Sequence, residues 1–193
     1  TITESYVDSY MGVWGMLYTA IRKVNQAISG IHTYGKMVEA DKLRLEGELR
    51  LLRAGMYFEL AKRYGDVIIY DADLTAITKN KALSSEEEVW NFVYGDLEFA
   101  TENLPVKAEA RGRLDKGMAY AYITRTMLYA KRWQAVIDAA DKVKELGYSL
   151  EANYADSYQK AINGGNKEAI LQYTFSYVDG ITHSMDSRYC PGG

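Results

Sequence analysis

The sequence is poor in the residues that cross-link, interrupt or strongly charge a chain. Its single cysteine, Cys190, excludes an internal disulfide, so packing alone must hold the fold together. Two prolines among 193 residues permit long helices. The net charge of −3 argues against a nucleic-acid surface, which needs clustered Lys and Arg. The longest uncharged run, residues 9–21, is too short for a membrane span of about 20 residues.

Groups for catalysis are equally scarce. The two histidines, His32 and His183, lie far apart in the sequence and outside any metal-ligand motif. No Gly-rich phosphate loop and no nucleophile elbow is present, and Cys190 has no adjacent histidine to activate it. We therefore expect a helical scaffold that binds a ligand or partner, with no catalytic residue, no metal and no cofactor.

What the sequence does have is helical periodicity. Apolar residues recur at spacings of three and four, which predicts helices over residues 3–30, 40–64, 84–104, 116–131 and 133–146, and a shorter one over 153–161. Residues 170–177 alternate between apolar and polar side chains, which predicts a strand. The pattern indicates an all-α fold of antiparallel, tetratricopeptide-like helix pairs with one or two short strands.

Local signals predict the helix ends and the buried faces. Ser84 and Glu87 have the spacing of a capping box, and Asp115 is a plausible N-cap for the helix that follows it. Apolar faces are predicted on the second and fifth helices. They comprise Leu45, Leu49, Leu52, Met56 and Leu60 in the second helix, and Trp133, Val136, Ile137, Ala140 and Val143 in the fifth.

The second helix ends in an abrupt change of character. Gly65 can take the left-handed conformation that closes a helix, and Asp66 can bond the turn backbone. Residues 67–70, here called the strap, are β-branched and aromatic and favour an extended path. Within the helix, Arg53 stands among apolar neighbours, so it either extends its charge to solvent or joins a buried pair.

Tyrosine is unusually frequent, with 17 residues. Tyrosine rings can stack on sugars and other planar faces. They also fill helix interfaces while keeping a polar tip at the edge, which is the interpretation we favour for any single tyrosine.

Residues 47–70 closely resemble the signature of the SusD/RagB family of outer-membrane nutrient-binding lipoproteins, G-E-x-x-x-L-R-A-x-x-Y-F-x-L-x-x-x-Y-G-D-V-P, with Ile68 in place of the final Pro. Further segments resemble family elements in the family's order. They are 13–28 (Trp14, Tyr18, Ile21, Asn25), 96–105, 112–150, with Asp115 where Thr is usual, and 166–176.

The resemblance implies an all-α superhelix of the SusD kind that binds a glycan, an oligosaccharide or sometimes a peptide without catalysis. It implies a lipid anchor on the cell's outer membrane, where such proteins act as a lid on a SusC-like, TonB-dependent transporter. We expect both ends to be cut, so that residues 1–193 form one scaffold domain of a larger chain whose anchor cysteine lies upstream.

In the family, loops outside the scaffold helices build most of the ligand face. We therefore assign Arg53, Tyr64, Gly65, Asp66, Gly112 and Arg113 to fold maintenance. The candidate ligand-binding residues are Tyr177, Asp179, His183 and Tyr189, where the predicted strand gives way to loop.

Two other classes compete with a nutrient-binding lipoprotein. A soluble tetratricopeptide-type adaptor would use the same helix pairs to bind a protein partner. An α-helical hydrolase would use His183, with Asp186 on the same face. A lipid-anchor cysteine upstream would separate the first class from the adaptor.

Overall fold

The computed structural model describes residues 12–73, 81–110, 112–159 and 166–171. Their helices are α1 (Val13–Tyr34), α2 (Glu39–Tyr64), α3 (Glu86–Asn103), α4 (Lys116–Tyr129), α5 (Trp133–Glu145) and the short α6 (Asp156–Gln159). Consecutive helices from α1 to α5 pack against each other. The chain divides into two compact units after Tyr148. The predicted all-α class is confirmed.

Strand structure among the described residues is confined to one antiparallel bridge between Val67 and Ser84. Most of the predicted strand 170–177 lies outside the described residues, and residues 170 and 171 are not in a strand. The beginning of the first predicted helix, residues 3–11, also lies outside them. One scaffold domain over residues 1–193 stays a prediction.

The bridge explains an error in the predicted start of α3. Ser84 exchanges backbone hydrogen bonds with Val67 at 2.8 and 3.1 Å, so it remains extended. The N-cap therefore lies one residue later than predicted, the helix begins at Glu86, and the capping box consists of Ser85 and Glu88. The other end signals are confirmed, because Asp115 caps α4 and Gly65 closes α2 with a φ of 67°.

The core lies between α2, α3 and α4, with one side of α1 against it. The predicted apolar face of α2 is confirmed in part, because Leu60 is fully buried whereas Leu52 is 45% exposed. The buried side also includes Leu51, Ala54, Phe58 and Ala61, which the predicted face left out. This helix packs against both α1 and α3, so its buried side is too wide for one stripe to describe.

The predicted apolar face of α5 is confirmed only in part. The helix fully buries only Ala139, Val136 is partly buried against the core, and Trp133 and Ile137 are 58% and 54% exposed. Among the described helices, α5 packs mainly against α4, so these two large side chains have no second helix to cover them.

Candidate functional site

The four ligand-binding residues predicted from the sequence, Tyr177, Asp179, His183 and Tyr189, lie outside the described residues. Their assignment stays a prediction. The described residues instead show what the signature segment of α2 builds, and which surfaces the scaffold leaves open.

Arg53 joins a buried ion pair. Its Nε and Nη2 donate to the two carboxylate oxygens of Asp96 on α3 at 2.8 and 2.7 Å, and the two side chains are 3% and 2% exposed. Its Nη1 donates to Asn25 Oδ1 on α1 at 2.6 Å. Burial raises the pKa of Asp96, and the hydrogen bonds from Arg53 oppose that rise. The pair therefore fixes three helices around one guanidinium.

Two tyrosine hydroxyls hold the strap against the helices. The Tyr18 hydroxyl donates to the carbonyl of Ile68 and accepts from its N–H, both at 2.8 Å. The Tyr57 hydroxyl makes the same two bonds to Tyr70, at 3.1 and 2.7 Å. Asn25 Nδ2 adds a bond to the Tyr70 carbonyl at 2.9 Å. Each hydroxyl thus satisfies the backbone of one extended residue without a neighbouring strand.

Burial against the strap changes the pKa of both tyrosine hydroxyls. It raises the pKa of Tyr18 to about 12 and raises the pKa of Tyr57 as well. Both hydroxyls therefore stay protonated at neutral pH and can keep donating to the strap. Sequence reasoning did not find this role, although both residues stand at fixed places in the matched motifs.

Asp66 has a different role from the predicted one. Its Oδ1 accepts from the backbone N–H of Glu86 at 2.8 Å, which satisfies an N–H at the start of α3. Arg113 pairs with Glu48 of α2 at 2.9 Å, so this signature glutamate connects α2 to the loop before α4. These contacts agree with the assignment of Arg53, Asp66 and Arg113 to fold maintenance.

An open groove lies between the start of α3 and the turn from α4 to α5. Its lining residues are Asp66, Ser85, Glu86, Glu87, Trp90, Tyr129, Ala130, Lys131 and Arg132. Some of its polar side chains already make hydrogen bonds within the protein. Glu86 accepts from the Trp90 indole at 3.0 Å, and Arg132 donates to Asn91 at 2.5 Å. The groove therefore offers a surface that carries charges of both signs.

Beside the groove, the α4–α5 pair exposes apolar side chains. We call Leu128, Tyr129, Trp133 and Ile137 the hairpin surface, and each is half or more exposed. Trp133 and Ile137 are four residues apart and share one side of α5. Exposed apolar side chains on one helix pair are a feature of protein contact surfaces when they adjoin one another.

Within the described ranges, no group of acidic, histidine or cysteine side chains has the arrangement of a metal site. The same ranges contain no helix long and apolar enough to cross a membrane.

The described residues thus form a helical scaffold with a clamped strap and exposed apolar side chains. The sequence model of a SusD-like family, described as "Starch-binding associating with outer membrane", matches residues 1–128. The chain belongs to the SusD-like family. The predicted family resemblance is thereby confirmed.

Three relatives illustrate the similarity. A SusD-like protein of Bacteroides ovatus is 27% identical, over 85% of this chain and 32% of its own length. The crystal structure of a SusD-like protein from Bacteroides fragilis is 37% identical with a TM-score of 0.73, over 84% of this chain and 33% of the other. A structure solved with a xylogluco-oligosaccharide is 26% identical with a TM-score of 0.71, over 86% and 35%. The chain spans about a third of the length of these relatives.

Proposed function

We propose that this protein is the glycan-binding component of a TonB-dependent nutrient uptake system in the outer membrane. It captures an oligosaccharide without breaking a bond and acts as a lid on a SusC-like transporter. A lipid anchor upstream of the present residues holds it at the cell surface. The observation that carries the proposal is membership of a family described as starch-binding and associated with the outer membrane.

The architecture supports a binding role. The polar side chains that the signature places in the core are committed to each other and to the strap, as the Arg53–Asp96 pair and the Tyr57–Tyr70 bonds illustrate. A relative was solved with an oligosaccharide, which makes a glycan the favoured ligand class. The ligand contacts expected from the sequence, Tyr177, Asp179, His183 and Tyr189, are part of this proposal.

We further propose that the hairpin surface contacts the transporter. Within the hairpin surface, Trp133 and Ile137 are the most exposed side chains, so a partner would remove the most solvent contact from them. The adjacent groove adds charged groups of both signs, which suits the polar rim of a protein interface.

A pull-down tests the assembly. The full-length protein serves as bait in detergent-solubilised outer membranes, and we expect a large β-barrel transporter in stoichiometric amount. Trp133→Ala with Ile137→Ala should reduce its recovery. Val106→Ala is the matched control, because Val106 is a similarly exposed apolar residue outside the hairpin surface, and it should leave recovery unchanged.

The alternatives give different results. Recovery of soluble partners without a barrel would favour the tetratricopeptide-type adaptor. A barrel recovered equally with the hairpin variants would keep the importer and overturn the contact surface. A glycan array with the full-length protein tests the ligand class separately, and hydrolysis of a bound glycan would contradict the non-enzymatic role.

A further inference from the structure

The unit that follows Tyr148 presents two tyrosines side by side. Tyr154 and Tyr158 are 78% and 76% exposed, although their rings contact each other. The ring centroids are 5.3 Å apart and the planes meet at 64°. The two hydroxyls share a hydrogen bond of 3.0 Å. The pair is therefore an ordered aromatic surface that other described residues leave largely uncovered.

Polar side chains organise the backbone around this pair. Glu151 Oε1 accepts from the N–H of Lys167 at 2.7 Å, and Glu168 Oε2 accepts from the N–H of Glu151 at 3.2 Å. Asn166 is buried and donates from Nδ2 to the carbonyl of Ser157 at 3.2 Å. Because these bonds tie residues 151–158 to residues 166–168, both tyrosines stand on a braced segment.

The position of this pair differs from that of the tyrosines in the helical unit. The Tyr18 and Tyr57 hydroxyls are committed to the strap, and neither ring is free for a ligand. Tyr154 and Tyr158 instead bond hydroxyl to hydroxyl. One hydroxyl must be the donor in that bond, so the hydrogen of the other remains available, together with lone pairs on both oxygens.

This combination matches the chemistry of a sugar ring. A pyranose has an apolar face of C–H groups and a rim of hydroxyls, and a tyrosine offers an apolar ring face beside a hydroxyl. The exposed face of either ring can stack on a sugar while the paired hydroxyls meet its rim. Tyrosine loses little side-chain entropy when it makes such contacts.

The carboxylates near this pair limit the charge of the ligand. The hydrogen bond between Tyr154 and Tyr158 raises the pKa of the Tyr158 hydroxyl, and the carboxylate of Glu168 adds to that rise. Glu151 and Glu168 both belong to the braced segment, and their carboxylates repel an anion. The surroundings therefore favour a neutral sugar over an acidic one.

We propose that Tyr154 and Tyr158 form a contact site for a neutral pyranose unit of a glycan. This inference rests on the proposed function, because it takes a glycan as the ligand class. It adds a site in the described residues to the one expected in residues 177–189.

The test measures glycan binding by the full-length protein. The probes are soluble starch, xyloglucan and, as an anionic polysaccharide, polygalacturonate, each in affinity gel electrophoresis, with titration calorimetry on the matching oligosaccharide. Tyr154→Ala with Tyr158→Ala should weaken binding of the neutral glycan about tenfold or more, since two aromatic contacts are lost. Tyr154→Phe with Tyr158→Phe should retain part of the affinity because the rings remain.

Tyr34→Ala is the matched control, since Tyr34 is 81% exposed and lies in the helical unit. It should bind as the unchanged protein does. All variants should keep their helical circular dichroism and melting temperature, because the side chains removed are exposed.

Each outcome separates the two proposals. If the unchanged protein binds a neutral glycan and the double alanine variant binds equally well, the tyrosine site is wrong and the glycan-binding function stands. Equal losses in Tyr34→Ala and the double variant, or binding of polygalacturonate alone, would also overturn the site. If the unchanged protein binds no probe at all, the glycan-binding function fails, and the site fails with it.

Discussion

The α2–α3 interface and the α4–α5 pair use apolar residues in opposite ways. At the first, Leu51, Phe58 and Leu97 are buried around an ion pair that is itself buried. At the second, Trp133 and Ile137 repeat at helical spacing and stay exposed. A helical stripe therefore shows which side of a helix can be covered, and the neighbours decide whether it is covered.

The comparison also concerns charge. Polar residues in the α2–α3 interface satisfy one another, whereas the charged residues around the groove lie at the surface, where ion pairs contribute little. We therefore expect substitutions at the first region to change stability and substitutions at the second to change binding. Four measurements test this contrast and the local signals around it, from the largest expected effect to the smallest.

Arg53→Ala should have the largest effect. It removes the hydrogen-bonded counter-charge of buried Asp96 and leaves only Arg50, 3.7 Å away, which we expect to lower the free energy of unfolding by about 3–5 kcal/mol. Urea denaturation followed by circular dichroism measures the loss. Arg44→Ala is the control on the same helix, because its ion pairs are near the surface and contribute about 1 kcal/mol or less. Equal losses in the two variants would contradict the special role of the buried pair.

Two alanine substitutions test the apolar half of the contrast. Leu97→Ala opens a cavity at a fully buried position of α3 and should cost about 2–5 kcal/mol. Ile137→Ala, on the hairpin surface, should change the free energy of unfolding by about 0.5 kcal/mol or less. The same urea titration compares them. A large loss for Ile137→Ala would show that the α5 surface is covered within the protein.

Ser85→Ala tests the start of α3 and should cost about 1 kcal/mol at neutral pH, because the helix loses its N-cap. Hydrogen bonds from Ser85 hold the pKa of Glu88 below its ordinary value. The stabilisation from ionised Glu88 is therefore present above its unfolded pKa and is lost as the pH falls through the folded pKa. The deficit of the variant should shrink in acid, as thermal melts across that pH range would show.

Ser84→Ala is the control for this cap. Ser84 contributes its backbone to the bridge with Val67, and alanine keeps that backbone. A cost larger than that of Ser85→Ala would restore the capping box first predicted from the sequence.

Lys131→Gly should have the smallest effect. Lys131 has a φ of 59° in the turn between α4 and α5, a conformation that glycine adopts without a Cβ penalty. Glycine removes the steric cost of the left-handed conformation but makes the unfolded chain more flexible. The first effect is larger, so we expect the free energy of unfolding to rise by roughly 0.5 kcal/mol. Lys23→Gly within α1 should lose about 1 kcal/mol instead. Differential scanning calorimetry compares them, and a loss in both variants would contradict the strain at Lys131.

Much of the helical framework was predictable because its signals are local. The stop at Gly65 and the N-cap at Asp115 depend on residues within one turn of the helix end. The shift from Ser84 to Ser85 was not predictable in this way, because a backbone pairing with Val67, 17 residues earlier, decides it. The role of Asp66 was not predictable for the same reason, because its hydrogen-bond donor is the N–H of Glu86, 20 residues later in the sequence.

The candidate sites also depend partly on local sequence signals and partly on contacts distant in sequence. The frequency of tyrosine indicated two uses, burial at helix interfaces and exposure to a ligand. Only contacts distant in sequence show that Tyr18 and Tyr57 serve the strap. Tyr154 and Tyr158 have an ordinary i,i+4 spacing, and both side chains are exposed. The spacing alone cannot show that exposure.

By itself, the sequence determined the helices, most of their ends and the family, because propensities, caps and ordered motifs are properties of neighbouring residues. The tertiary structure alone decided whether Arg53 is paired or exposed, which side of α2 is buried, and that Trp133 and Ile137 on α5 stay exposed. Each of these depends on what packs against a side chain, and in a helical fold those neighbours come from distant parts of the chain.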